Sequence, residues 1–232
     1  MTLSIDSAMK IKNLSEKIGT LFMPGHVVRF FPEFRKIHDL VKAGTVGRPA
    51  VIRLQRGGKM PVGSAKWFSD RTRSGGVLLD LGIHDFDWLR WTFGEVDHVY
   101  SRYYGTDKLC ATDYSLTTLQ FASGAIAHVE SSWMEFDGFK TSIEVAGSEG
   151  IVSHSYREKA ALKITTSSNT EYENSLFSGQ DPFALEVAHF KSAIEGTVNL
   201  EVTPEDGCWA VSIALAALKS AESQQRVKPI IV

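Results

Sequence analysis

The sequence has little cysteine and no long apolar run. Its two cysteines, Cys110 and Cys208, lie far apart and in no metal or redox spacing, which fits a reducing compartment. The longest apolar stretch, Cys208 to Leu218, contains Ser212 and is too short to span a bilayer. No Lys/Arg run occurs and the net charge is −2, so nothing points to a nucleic-acid or acidic-membrane partner. The first 20 residues are amphipathic and polar-rich, unlike a signal peptide with its apolar core. A cytoplasmic protein is the expectation. Internal repeats, low-complexity tracts and long linkers are absent too. No Gly-x-Gly-x-x-Gly run is found: Gly57-Gly58 and Gly63 have neither its spacing nor a helix after them. What remains is an ordinary globular composition, 43% hydrophobic and 22% charged over 232 residues, enough for one large domain or two small ones.

The most informative segment is Gly75-Gly76-Val77-Leu78-Leu79-Asp80-Leu81-Gly82-Ile83-His84-Asp85-Phe86-Asp87. Two glycines permit a tight turn or a close backbone approach. A helix then follows over 77–93, with Leu79, Ile83, Phe86 and Phe93 as the stripe that anchors it. On that helix Asp80, His84 and Asp87 fall at i, i+4 and i+7, along one face. Two carboxylates and an imidazole can bind a polar ligand and move a proton near neutral pH. The same spacing also suits a hydrogen-bonded structural histidine. The donor set would suit a divalent ion as well, but no second His/Asp cluster accompanies it and no metal site is assigned.

Along the chain, Ser4 caps a helix that Gly19 ends, and a short strand Leu21-Phe22-Met23 leads to Pro24-Gly25. A second helix occupies 32–43, starting at Pro32, with Phe34, Ile37, Leu40 and Val41 on its buried face. A strand covers Val51 to Leu54. After the central helix, strands are expected near 96–104, 113–122, 125–133, 140–147, 150–156 and 160–166. Their short turns require antiparallel pairing. Helices at about 182–195 and 203–223 close the chain, the second from a capping-box-like Thr203-Pro204-Glu205-Asp206. The fold class is α+β: a large, mostly antiparallel sheet with helices on one face, preceded by a helix–strand piece.

The run Gly75-Gly76-x-x-x-Asp80-x-Gly82-x-His84-x-x-Asp87 resembles the substrate-domain signature of the glucose-fructose oxidoreductase / inositol 2-dehydrogenase (Gfo/Idh/MocA) family. Gly25-His26-x-x-Arg29-Phe30-x-Pro32 resembles its interdomain segment, and Gly44-x-x-Gly47-x-Pro49 the turn into its sheet. Phe183 to Phe190 and Thr203 to Gly207 resemble its closing helices. The resemblance implies an NAD- or NADP-dependent oxidoreductase acting on a sugar, polyol or related hydroxyl or keto substrate. It implies His84 as the proton acceptor or donor and Asp80 as the group that positions substrate and imidazole.

By the same resemblance Trp67 lines the sugar site, although plain packing suits it as well. Asp87, on the face of His84, is a further substrate-binding candidate, and Lys59 could hydrogen-bond a substrate hydroxyl, although a solvated lysine is the more ordinary reading. His26 and Arg29 could reach the nicotinamide, or simply sit at a helix end. His38, His98, His128, His154 and His189 share no spacing and read as structural.

Without a glycine fingerprint, residues 1–24 correspond to the last helix and strand of a Rossmann domain, and 25–232 to a substrate-binding and oligomerisation domain. The family's Glu-Lys-Pro motif would fall just before Met1. The expectation is therefore a chain that binds no dinucleotide by itself. It pairs as a homodimer or tetramer through the open sheet face. The alternative is a non-catalytic remnant kept for sugar binding or assembly.

Overall fold

The computed structural model describes residues 1–61, 63, 67–105, 113–157, 162–173 and 181–230. Cys110 and residues 160–161, the start of the last expected strand, lie outside them.

Helix α1, Ile5–Ile18, starts where the Ser4 side chain accepts the Ser7 N–H and stops at Gly19, whose φ of +67° is left-handed. It packs on α6, Pro204–Ser223. The strand expected at Leu21–Met23 does not form. A strand needs a neighbour for its N–H and C=O groups, and this segment pairs with none among the described residues. A 3-10 turn, Val27–Phe30, leads into α2, Pro32–Lys42, with proline in its first turn.

The sheet has eight strands in the order β2-β3-β4-β1-β5-β6-β7-β8. They are β1 Pro49–Gly57, β2 Val96–Tyr104, β3 Tyr114–Phe121, β4 Ile126–Ser132, β5 Lys140–Gly147, β6 Gly150–Ser155, β7 Leu162–Thr166 and β8 Thr170–Glu173. Every pair is antiparallel except β1–β4, which is parallel in the register Val51↔Ile126 to Gly57↔Ser132. Sequence order explains the exception. β1 comes before the central helix and inserts between two hairpin systems that form after it. β8 was not expected, because Thr-Glu-Tyr-Glu offers no buried alternation; it is held by its register against β7.

Ile52, Leu54, Val99, Leu119, Val129, Ile143, Val145 and Val152 point to one face, where α2, α4 (Ile83–Phe93) and α6 cover them. Trp88, Phe34 and Phe86 fill the layer between. Phe121, Val129, Ile143 and Val145 are buried toward the helices, while Tyr114, Leu116 and Ile126 lie on the other face, Leu116 44% exposed. The middle of that face is polar: Arg53 pairs with Glu144 at 2.5 Å, Gln55 donates to Glu130 at 3.3 Å, and Thr118 bonds His128 at 3.1 Å.

Candidate functional site

Gly75 and Gly76 take φ of +78° and +72°, which glycine alone holds without strain. A Cβ at Gly75 would lie 2.6 Å from that of Leu79. The turn opens into a π turn, Leu78–Gly82, and only then into α4. The helix expected over 77–93 is thus continuous, helical from Gly76 on, but its Leu78–Gly82 turn is π rather than α. The extra residue of a π turn takes Asp80 out of the α-helical stripe that His84 and Asp87 share. Gly82 lets this turn lie close on β4: a Cβ there would stand 3.0 Å from Ser131 Oγ.

Asp87 is engaged by Arg29. Arg29 Nε donates to its Oδ2 at 2.7 Å and Nη2 to its Oδ1 at 2.6 Å, with both residues buried. Arg29 also donates to the Glu201 carbonyl at 2.7 Å and stands 3.4 Å from Asp206. The expected substrate contact Asp87 and cofactor contact Arg29 thus satisfy each other. Together they fasten the 3-10 turn to α4 and to the start of α6.

A second pair went unnoticed in the sequence. Arg56 Nε donates to both oxygens of Asp85, at 2.8 and 3.0 Å, and both residues are buried. The signal was there. Arg56 continues the inward alternation of Ile52 and Leu54, and an arginine at such a position requires a buried partner.

His84 lies half-buried between these two pairs, its Nδ1 enclosed and without a hydrogen-bond partner among the described residues. The His26 ring meets it edge to face, centroids 5.6 Å apart and planes at 78°. His26 is only 3% exposed, and both its nitrogens are equally unpartnered among the described residues. It is thus placed against His84 rather than on an open surface. Burial lowers each imidazole to about 3, so both are neutral at pH 7. Asp80 is half-buried, with no hydrogen bond or ion pair among the described residues, and burial pushes its carboxyl up to about 6.

Trp67 packs edge-on against Phe68 at 5.0 Å, and Lys59 is exposed where the chain bridges to Met134. Among the described residues neither makes a hydrogen bond or ring contact with His84. His38, stacked on Trp91 at 3.4 Å, and His189, accepting the Glu201 N–H, have structural partners. Among the described residues no group of three His, Cys, Asp or Glu side chains is placed to hold a metal ion, and no helix is long and apolar enough to cross a membrane.

The described residues do not fit a dinucleotide pyrophosphate. The longer helices begin at Ser4, Phe31, the π turn, Asp181 and Thr203. Three of these starts are capped by their own side chains, and none follows a Gly-x-Gly-x-x-Gly loop. The chemistry on hand is that of a neutral imidazole able to take a proton, with a titratable carboxyl one turn earlier in the chain.

Comparison with known proteins agrees with this geometry. The model of the GFO/IDH/MocA C-terminal domain matches residues 34–153. The 1,5-anhydro-D-fructose reductase of Ensifer adhaerens is 27% identical over 97% of this chain and 69% of its own length. The myo-inositol 2-dehydrogenase of Thermotoga maritima is also 27% identical, over 98% of this chain and 70% of its own. The solved structure of a levoglucosan dehydrogenase in complex with NADH and L-sorbose superposes with a TM-score of 0.86, at 17% identity, over 100% of this chain and 72% of that one.

A mixed eight-stranded sheet with an Asp-x-x-x-His turn on its helical face makes this an α+β domain. The chain belongs to the GFO/IDH/MocA family.

Proposed function

We propose that this chain is the substrate-binding and oligomerisation part of an NAD(P)-dependent oxidoreductase acting on a CH–OH or keto group of a sugar, polyol or related compound. Residues 1–24 are then the closing piece of a dinucleotide domain, and 25–232 the substrate domain. The observation that carries the reading is His84, a neutral imidazole one helical turn after a half-buried, titratable Asp80, on a turn that two left-handed glycines set. The names of relatives that act on myo-inositol and anhydrofructose support the substrate class.

Oxidising a carbinol carbon requires removal of the hydroxyl proton, and a neutral imidazole with a free lone pair performs it. His84 takes that proton, and Asp80 orients the hydroxyl. Trp67 offers an aromatic face to ring C–H groups, and Lys59 a donor to an outlying hydroxyl. The hydride chemistry belongs to a dinucleotide, for which the described residues form no phosphate cradle. By itself it binds NAD or NADP poorly. That absence favours a second reading, a non-catalytic sugar-binding or assembly domain.

Titrating the chain with cyclic polyols while following the His84 ring by NMR tests the shared premise. A saturable shift of His84 that is lost in Asp80→Ala is expected. If no polyol moves His84, the substrate reading fails.

A further inference from the structure

We propose that His26 is a positioning residue behind His84: it accepts a hydrogen bond from the His84 Nδ1–H, so that His84 presents a bare Nε2 to a ligand hydroxyl. The proposal rests on His84 being the proton acceptor.

An imidazole that takes a proton on one nitrogen must carry its existing proton on the other. For His84 the second nitrogen is Nδ1, which is enclosed and lacks any partner among the described residues. A buried N–H in that position needs an acceptor. Carboxylates are the usual choice, and here they are engaged. Asp87 holds Arg29, Asp85 holds Arg56, and Asp80 makes no bond to His84.

His26 meets the need. Its ring stands edge to face with His84 at 5.6 Å, in reach of an N–H···π contact and, after a turn of either ring, of an N–H···N bond. Both its nitrogens are enclosed and unpartnered among the described residues, so one lone pair is uncommitted. The backbone fixes the pairing. His26 precedes Arg29 by three residues and His84 precedes Asp87 by three, so the Arg29–Asp87 clamp joins the two segments one turn from the two imidazoles. The His26 N–H is tied to the Pro24 carbonyl at 2.9 Å, and the Arg29 N–H to the His26 carbonyl at 3.3 Å. The charged groups around His26 are Arg29, the Met1 amino group and Asp206; around His84 they are Arg56, Asp87 and the same amino group.

The proton count closes without any redox partner. One proton leaves the hydroxyl for His84 Nε2, while the Nδ1 proton stays on His84, held by the His26 lone pair. His84 becomes the imidazolium, paired with the alkoxide it has made, and His26 stays neutral.

Nitrogen-15 NMR of ring-labelled histidines in this full chain at pH 7 tests the proposal. Wild-type His84 should be the Nδ1–H tautomer. His26→Phe, which keeps an aromatic ring but no acceptor, should shift it to the Nε2–H form that free imidazole prefers. His26→Gln, with an amide oxygen, should restore Nδ1–H. An Nε2–H tautomer in the wild type overturns the proposal, as does an Nδ1–H tautomer that persists in His26→Phe. If His26→Phe does not fold, the wild-type tautomer and His26→Gln decide alone. Adding myo-inositol to the same sample separates the two readings. A His84 ring indifferent to it removes the substrate reading and this proposal's purpose with it. A responsive His84 of the wrong tautomer removes this proposal only.

Discussion

Arg29 and Asp87, 58 positions apart, share two hydrogen bonds of 2.7 and 2.6 Å in a region closed to water. This clamp, with Arg56–Asp85, sets where the α4 backbone lies, and hence where His84 stands. A charge buried in this way depends entirely on its partner.

Removing one partner should therefore be costly. Arg29→Met leaves Asp87 buried and unpaired, and is expected to lose about 3–5 kcal/mol of unfolding free energy, whereas Arg29→Met with Asp87→Leu should recover most of it. Urea denaturation measures both. A loss below about 1 kcal/mol in the single variant would mean that water reaches Asp87.

Asp80 imposes a pH dependence of definite sign. Its folded value of about 6 lies above the ordinary 3.8, so the folded state holds more protons between those values and stability falls as pH rises through them. Asp80→Asn should therefore stabilise the chain at pH 7.5 by about 1–2 kcal/mol, after allowing for its partial exposure to solvent, and give no gain below pH ~4. Equal effects at both pH values would show that the carboxyl titrates normally.

Dinucleotide binding by this chain alone should be very weak, because no glycine loop presents amides to a pyrophosphate. Titration calorimetry with NADH and NADPH checks it, and a micromolar dissociation constant would overturn the expectation.

When the chain works together with a dinucleotide domain, His84→Ala should lower turnover by roughly 10²- to 10⁴-fold, the usual weight of general acid–base catalysis. The thermal unfolding midpoint should barely move. Near-normal turnover, or a variant that does not fold, would assign this histidine a structural role.

The face of the sheet opposite the helices should mediate self-association. It presents Tyr104, Leu116, Ile126 and Tyr172 around the polar Arg53–Glu144 and Gln55–Glu130 contacts, a mixture typical of interfaces. A homodimer or tetramer with an interface of at least ~1,000 Å² is expected at tens of micromolar. Leu116→Arg should shift it toward monomer in light scattering. A stable wild-type monomer would sink the idea.

Much of this molecule is legible in its residues. Helix limits at Ser4, Gly19, Pro32 and Thr203 follow from caps and proline, which act within one turn. Most strands follow from alternation closed by glycine turns. His84 stood out because the motif around it is local.

What the sequence alone could not decide is which side chains meet. The sequence offers Asp87 and Arg29 as separate ligand-binding candidates, and only the packing of the 3-10 turn on α4 sets them opposite each other as a pair. The Arg56–Asp85 pair depends on β1 entering the sheet between β4 and β5, which no local pattern specifies. The π turn depends on Gly82 pressing against Ser131 of β4, and the His26–His84 contact on the clamp beside it. Local composition determined the elements and singled out His84 as the candidate proton acceptor. Long-range packing decided which charges neutralise each other, and so which groups around His84 are left without a partner.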